Sequence, residues 1–173
     1  MRTEIHADLA VAVEKIYQPN QLVMTNLERE QESHEYGACT FKLNDLHIKF
    51  RVAHITPTKV GQFVTLWKRI GNGPIQPFDL SDPIDLFVIS VRSENRFGHF
   101  VFPKAVLSQK DVVSQDGKGG KRAMRVYPPW DVTESRQARQ TQQWQLNYFL
   151  EVPVQGAVDG ALVKKLYLLS DTV

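Results

Sequence analysis

The sequence predicts a mixed α/β fold in which a central, largely antiparallel sheet is flanked by helices. Three observations lead to this prediction. Apolar residues recur with the helical period of about 3.6 towards both ends of the chain, and with a period of two over much of residues 37–102. Short turns separate successive strand candidates, which favours antiparallel pairing. Strands and helices do not alternate as in a βαβ repeat, so we expect one α/β (mixed α+β) domain over residues 1–173.

The N-terminal part predicts two helices and the start of a hairpin. Residues 6–17 carry an amphipathic helical pattern that Pro19 ends. Residues 22–27 are a candidate for a second short helix. A strand over 37–43 then leads into a tight turn at Asn44-Asp45, because Asn and Asp tolerate the positive φ angles that such turns require.

The next strands carry the most informative pattern of the chain. Residues 46–53 alternate between apolar side chains and a second set that includes Lys49 and Arg51. A period of two means that one face packs on a core while the other face presents cations. Thr56-Pro57-Thr58 breaks this strand, and residues 61–69 are expected to form the next one.

The remaining chain predicts a buried hairpin followed by further strands and helices. Residues 84–91 are nearly all apolar and suit a central buried strand. Asp131 is expected to cap a helix, with Glu134 reaching back to it. The other elements are expected to be a Gly- and Pro-rich loop (71–83), a hairpin partner (97–102), a short helix (103–107), a flexible loop (114–120), a strand (122–127), a helix (131–150) and a last helix (161–169).

Composition places the chain among ordinary globular proteins. Of its 173 residues, 42% are hydrophobic and 23% are charged, with a net charge of +2. A single cysteine, Cys39, excludes an internal disulfide and a multi-cysteine zinc site, and we expect it to be a buried structural thiol. The longest apolar run, 86–89, is far too short to span a bilayer, and the N-terminus has no apolar signal region. We therefore expect a cytoplasmic protein with no membrane partner.

Basic residues are clustered far more than the net charge suggests. Two stretches without acidic residues, 46–78 and 117–130, hold nine of the 21 lysines and arginines. Cations this close repel one another unless an anion relieves them, so we expect both clusters to line one basic cleft. The residues predicted to bind the ligand are Lys49, Arg51, Lys59, Lys68, Lys121, Arg122, Arg125 and Trp130.

The chemistry of these residues indicates a phosphate-bearing ligand. Arg51 and Lys49 project from one strand face about 7 Å apart, close to the spacing of successive phosphates in a nucleic-acid strand. Arginine binds phosphate through two parallel hydrogen bonds, and lysine acts as a point charge. Trp130, which follows two prolines, is expected to be exposed and to stack on a base, whereas Trp67 is expected to pack in a core.

Three motifs resemble the MepB family: FR-x-A-H-ITPTK-x-GQFV-x-LWKR at residues 50–69, FVFPKAVL at 100–107 and GGKRAMRVYPPW at 119–130. The resemblance covers roughly residues 37–150. It implies a bacterial protein with a restriction-endonuclease-like fold, in which helices flank a mixed sheet. It implies no established activity. The residues that match its longest run are Arg51, Thr56, Pro57, Lys59, Gly61, Phe63, Trp67 and Lys68.

A search for catalytic motifs names no catalytic residue. The nuclease form of that fold needs an Asp followed by Glu-x-Lys or Asp-x-Lys on the next strand, to hold a divalent metal. His47 and Leu66 occupy the carboxylate slots of the two candidate strands, and only Asp45 and Glu35 could contribute from strand ends. The glycine-rich loop at 116–122 lacks the Ser or Thr of a phosphate-binding P-loop. We expect no metal site and no cofactor.

Three functions stay open at the level of sequence. The first is binding of a nucleic acid, a nucleotide or another phosphate-bearing anion through a basic cleft. The second is a protein-interaction module, in which the acidic stretch at 28–35 or the basic face contacts another protein. The third is a metal-dependent nuclease with a degenerate site. We expect a binding protein rather than an enzyme.

Overall fold

Residues 5–169, which the computed structural model describes, form eleven β-strands and four α-helices. The strands are β1 (Met24–Arg29), β2 (Cys39–Leu43), β3 (Leu46–Val52), β4 (His54–Ile55), β5 (Gln62–Thr65), β6 (Trp67–Arg69), β7 (Ile75–Pro77), β8 (Leu86–Arg92), β9 (Phe97–Pro103), β10 (Ala123–Val126) and β11 (Phe149–Val152). The helices are α1 (Ala7–Ala12), α2 (Lys104–Gln109), α3 (Arg136–Gln145) and α4 (Gly160–Leu166).

A six-stranded sheet in the order β1-β2-β3-β8-β9-β11 forms the centre of the molecule. Its neighbours are antiparallel except β3 and β8, which run parallel. Parallel neighbours need a long crossover. Residues 53–85 supply it, and they contain β4, β5, β6 and β7. The predicted mixed and largely antiparallel sheet with flanking helices is therefore confirmed.

Both faces of the central sheet are buried. Val88 of β8 packs with residues of α1 and α4 on one face. The next residue, Ile89, packs on the other face with β5, α2 and β10, of which β5 and β10 belong to a small sheet in the order β10-β5-β4. A strand buried on both sides reads as a continuous apolar run, which explains why the central strand was predictable.

Residues 22–27, predicted as a helix, contain the start of edge strand β1 instead. Hydrogen bonds to the turn at Asn44 and to β2 outweigh the helix propensity of this segment. The Val23 amide donates to the Asn44 side chain at 2.9 Å, and the Asn44 amide donates to the Val23 carbonyl at 2.9 Å. These bonds hold the segment against the predicted β2–β3 hairpin turn, and β1 continues from there along β2.

The strand predicted over 61–69 is divided between two sheets. Leu66 separates β5 from β6; it is buried, and its amide donates to the Arg122 carbonyl at 2.9 Å. β5 pairs with β10, whereas β6 pairs with β7. Strand β7 lies inside residues 71–83, which were predicted as a loop, so that prediction was incomplete.

The helix predicted over 131–150 is shorter at both ends. Ser135, not Asp131, caps α3, because its Oγ accepts a hydrogen bond from the Ala138 amide at 3.0 Å. Beyond α3 the chain forms a short 3₁₀ turn and then β11, which pairs with β9. The first predicted helix also changes character, since α1 continues as a π-helical turn over Val13–Tyr17.

The helices of residues 5–169 are too short or too polar for any of them to cross a bilayer. The longest of the four α-helices, α3, has ten residues, whereas a membrane-spanning helix needs about 20.

Candidate functional site

Strand β3 carries two of the predicted ligand-binding cations, and one internal carboxylate forms ion pairs with both. Arg51 is only 1% exposed. Its guanidinium donates to Glu30 Oε2 and to the Phe50 carbonyl, the latter at 2.9 Å. Lys49 Nζ donates to Glu30 Oε1 at 3.0 Å. The two side chains do share a strand face, as predicted, but they lie over the ring of Phe78 and are not free for a ligand.

The same correction applies further along the first basic cluster. Lys68 Nζ donates to Asp82 Oδ1 at 2.8 Å, and Arg69 pairs with Glu32 at 3.2 Å. These carboxylates are remote in sequence from the cations that they neutralise. Four of the five cations of this cluster thus pair with internal carboxylates, so the argument that these four need an external anion was wrong.

A second region keeps its positive charge. It is an open groove of about 690 Å³ between α3, strand β10 and the turn at residues 56–61. We call it the α3 groove. Its charged and aromatic lining residues are Lys59, Phe63, Lys110, Lys121, Arg125, Tyr127, Glu134 and Trp144.

Part of the second basic cluster faces the α3 groove. Lys121, Arg125 and Tyr127 line it. Met124 also lines it, although most of its side chain is buried in the core beneath. Arg122, which precedes β10, is not among the lining residues. The prediction that all seven basic residues share one surface was wrong, because the cations of β3 and β6 line a separate groove.

Arg125 builds one wall of the α3 groove. Its guanidinium donates to Thr56 Oγ1 at 2.9 Å and to the carbonyls of Val60 and Gly61, both at 3.3 Å. These bonds fix the turn that carries Lys59. Gly61 has a φ of +86°, and a Cβ there would lie 2.7 Å from the Tyr127 ring. Glycine is therefore required where this turn crosses the tyrosine.

Gln145 fixes α3 as the opposite wall. It is fully buried, and its side-chain amide accepts from the Tyr127 amide at 2.8 Å and donates to the Arg125 carbonyl at 3.0 Å. Both bonds are to the backbone of the strand segment that forms the floor. The oxygen and the nitrogen of this buried amide both bond to the floor, and they therefore set the distance between the floor and α3.

Trp144 lies half-buried where α3 meets the end of α2. Its ring packs on Phe102, with centroids 5.5 Å apart, and Lys110 Nζ lies 5.3 Å from its centroid. Lys110 and Trp144 were both absent from the predicted site. Lys110 gave no sequence signal, because it precedes Asp111 outside either basic cluster.

The electrostatic balance of the α3 groove is positive. Lys59 and Lys121 are exposed, and within residues 5–169 neither side chain has a hydrogen-bond or ion-pair partner. The Lys110 ammonium has no hydrogen-bond or ion-pair partner in that part of the chain, and it lies near the Trp144 ring. Glu134 is the one acidic residue among the lining residues. An open concave surface with uncompensated cations attracts anions.

Trp130 lies apart from the first basic cluster and from the α3 groove. Its ring packs against Phe149 at 5.9 Å, and the Arg96 guanidinium lies 5.0 Å from its centroid. Arg96 in turn pairs with Glu151 at 2.5 Å. Trp130 is half-buried in this cluster, so its predicted exposure beside the basic residues was wrong.

The glycine-rich loop is held by two aspartates. Asp79 Oδ1 accepts from the Gly117 amide at 3.0 Å and from Ser114 Oγ at 2.7 Å, and Asp111 Oδ1 accepts from the Gly120 amide at 2.8 Å. These bonds, together with those from Ser81, lower the pKa of Asp79 well below its ordinary value. The flexible loop predicted over 114–120 is thus anchored.

In the described part of the chain, the structure adds no candidate catalytic or metal-binding residue. Within residues 5–169 no three His, Cys, Asp or Glu side chains lie close enough together to hold a metal ion. Cys39 is buried as predicted, and burial raises its pKa to about 12, so the thiol stays protonated. His54 stacks on Tyr36 at 4.6 Å, and His47 pairs through its backbone with Asp85.

Comparisons with known proteins agree with the sequence resemblance. A family model described as MepB-like matches residues 30–151. A solved structure, "Crystal Structure of MepB", is 31% identical in sequence; the match covers 88% of this chain and 100% of that chain, with a TM-score of 0.74. No curated protein matches the chain.

Proposed function

The chain belongs to the MepB-like family, and from that premise and the geometry of the α3 groove we propose that it binds a nucleic acid there. The observation that supports the proposal is the coexistence of unpaired cations and aromatic rings on one open, concave surface. Lysines without internal partners suit phosphate groups, and aromatic rings suit bases. The family itself carries no biochemical role into this argument.

Charge favours the α3 groove over the first basic cluster. In the first cluster, Glu30 and Asp82 already hold Lys49, Arg51 and Lys68. A phosphate that bound there would have to displace half-buried carboxylates. In the α3 groove, Lys59 and Lys121 have no carboxylate partner in the described chain. A phosphate that binds them therefore displaces only water.

Shape supports a polymer rather than a small metabolite. The α3 groove is open, and ligand pockets for small molecules of this size, about 300–1,000 Å³, usually enclose most of the ligand. Its lining mixes charge with half-buried rings and lacks a dominant apolar cavity. An open channel with cations along its edges suits a strand that passes through and extends beyond it.

Reversal of one groove charge tests the proposal. We expect Lys121→Glu to weaken binding of a fluorescent oligonucleotide of about 12 nucleotides by roughly tenfold or more at low salt, because it removes one phosphate contact and adds a repulsive charge. Fluorescence anisotropy measures the affinity.

Lys165→Glu is the matched control. It makes the same charge change at an exposed lysine of α4, and α4 packs on the opposite face of the central sheet. We expect its affinity to stay within about twofold of wild type. Equal losses in both variants would mean that only net charge matters, and no binding by the wild-type protein at low salt would overturn the proposal.

A further inference from the structure

The solvent-facing surface of α3 carries neutral amides beside two arginines, Arg136 and Arg139. The helix contains five glutamines in ten residues. Two of them serve the fold, since Gln145 bridges to the floor of the groove and Gln142 donates to the carbonyls of Pro128 and Asp131 at 2.9 and 3.0 Å. The other three, Gln137, Gln140 and Gln143, are exposed.

These three glutamines have no role in holding the fold together. Within residues 5–169 none of their side chains makes a hydrogen bond. Gln137 and Gln140 lie three residues apart, and Trp144 follows Gln140 by four, so all three share one helix face. A second depression of about 600 Å³ lies over this face and shares Lys110, Gln137 and Trp144 with the α3 groove. The two surfaces are therefore continuous.

Each part of this continuous surface matches a different part of a nucleotide. Lys59 and Lys121 match phosphates. The half-buried Trp144 ring offers a stacking plane, and its contact with the Lys110 ammonium is of a kind that a base can replace while the ammonium moves to a phosphate. Amide side chains carry a donor and an acceptor together, as base edges do. Neutral amides add no affinity for phosphate, so phosphate binding alone does not account for them.

We infer that the amide face of α3 and Trp144 form a base-binding surface, so that the nucleic acid held in the α3 groove has unpaired bases. This inference rests on the proposed function and narrows its ligand class to a single strand. Stacking on Trp144 requires a base whose ring face is free, which a duplex does not offer. The surface is also concave, because α2 ends with Lys110 beside α3, whereas a helix that reads a duplex groove must protrude.

Three probes of about 12 nucleotides test the inference: a single strand, a blunt duplex of the same sequence, and an abasic strand that keeps its phosphates. We expect the wild-type protein to bind the single strand most tightly. Trp144→Ala should weaken single-strand binding by about 5- to 100-fold and leave abasic-strand binding unchanged. Trp130→Ala, which truncates a tryptophan outside the groove, should change neither.

Gln140→Ala gives a second test that does not disturb packing, because Gln140 is exposed and has no partner in the described chain. It should weaken single-strand binding several-fold without affecting the abasic strand, while Gln155→Ala on the exposed loop after β11 should have no effect. If Trp144→Ala fails to fold by circular dichroism, the Gln140 result decides.

The outcomes separate the inference from the proposed function. Equal affinity for all three probes, unaffected by Trp144→Ala and Gln140→Ala, would overturn the inference and leave phosphate binding in place. Preference for the duplex would also overturn the inference. Failure to bind any probe at low salt would overturn both.

Discussion

At the scale of single residues, Glu30 is the carboxylate on which the buried charges depend. It is the acidic partner of both Arg51 and Lys49, and Arg51 has almost no exposure to water. Removal of one partner of a buried ion pair leaves the other charge without compensation. Glu30 therefore explains how a fully buried arginine is tolerated in the central sheet.

We expect Glu30→Ala to lower the free energy of unfolding by about 3 kcal/mol, because Arg51 stays charged in the interior. Urea denaturation measures the change. Glu32→Ala is the control, since its partner Arg69 is more exposed, and its loss should stay below about 1 kcal/mol. Similar losses of unfolding free energy in the two variants would show that the Glu30–Arg51 ion pair contributes no more to stability than the more exposed Glu32–Arg69 pair.

His99 gives the molecule a pH-sensitive core. It is fully buried between the rings of Phe50 and Phe97, and neither of its ring nitrogens has a partner in the described chain. Burial lowers its pKa to about 4, although Asp8 opposes the shift. Burial also acts to raise the pKa of Asp8, but hydrogen bonds from Ser90 and Arg92 leave it below the ordinary value.

The lowered pKa of His99 predicts loss of stability in mild acid. Below about pH 6.5 the unfolded chain binds a proton that the folded chain refuses, so stability falls as the pH drops towards 4. Between about pH 7 and 5 the loss from this group is roughly 2 kcal/mol. His99→Leu should remove that part of the pH dependence, whereas Asp8 contributes equally in both proteins. Parallel pH profiles for wild type and variant would contradict this assignment.

At the scale of elements, the sequence predicted a strand best where both of its faces are buried. It predicted a strand least well where the strand depends on pairing with another segment. The run of apolar residues in β8 and the turn at Asn44-Asp45 were predictable, because each reflects a local rule. Strand β1 was not, because it depends on pairing with β2 at the sheet edge. Strand β7 was hidden among glycines and prolines and forms through its pairing with β6.

The glycine-rich loop is an element that two aspartates hold, and Asp79 makes most of the hydrogen bonds. Asp79 accepts four hydrogen bonds, two from Ser81 and one each from Ser114 and Gly117. We expect Asp79→Asn to increase amide hydrogen exchange at Gly117 by at least about tenfold, because a carboxamide has one acceptor oxygen. Asp116→Asn, at an exposed position in the same loop, should leave exchange unchanged. The same exchange rate in both variants would mean that Asp79 does not order the loop.

At the scale of the whole molecule, the sequence predicted the sheet and the family but not the distribution of charge. Both basic clusters were visible in the sequence. The pairing of Arg51 with Glu30 and of Lys68 with Asp82 was not, because the partners lie 21 and 14 residues apart in the sequence. Three of the eight predicted residues, Lys59, Lys121 and Arg125, line the α3 groove. Nothing in the sequence singled out Lys110.

The central claim is that the unpaired lysines of the α3 groove contact phosphates, and the salt dependence of binding tests it most directly. We expect the logarithm of the association constant for a single strand to fall linearly with the logarithm of salt concentration. In the double variant Lys59→Ala/Lys121→Ala the slope should be shallower by about 1.4, since each lost phosphate contact removes about 0.7. Lys165→Ala should leave the slope unchanged. A slope in the double variant equal to that of wild type would contradict the claim.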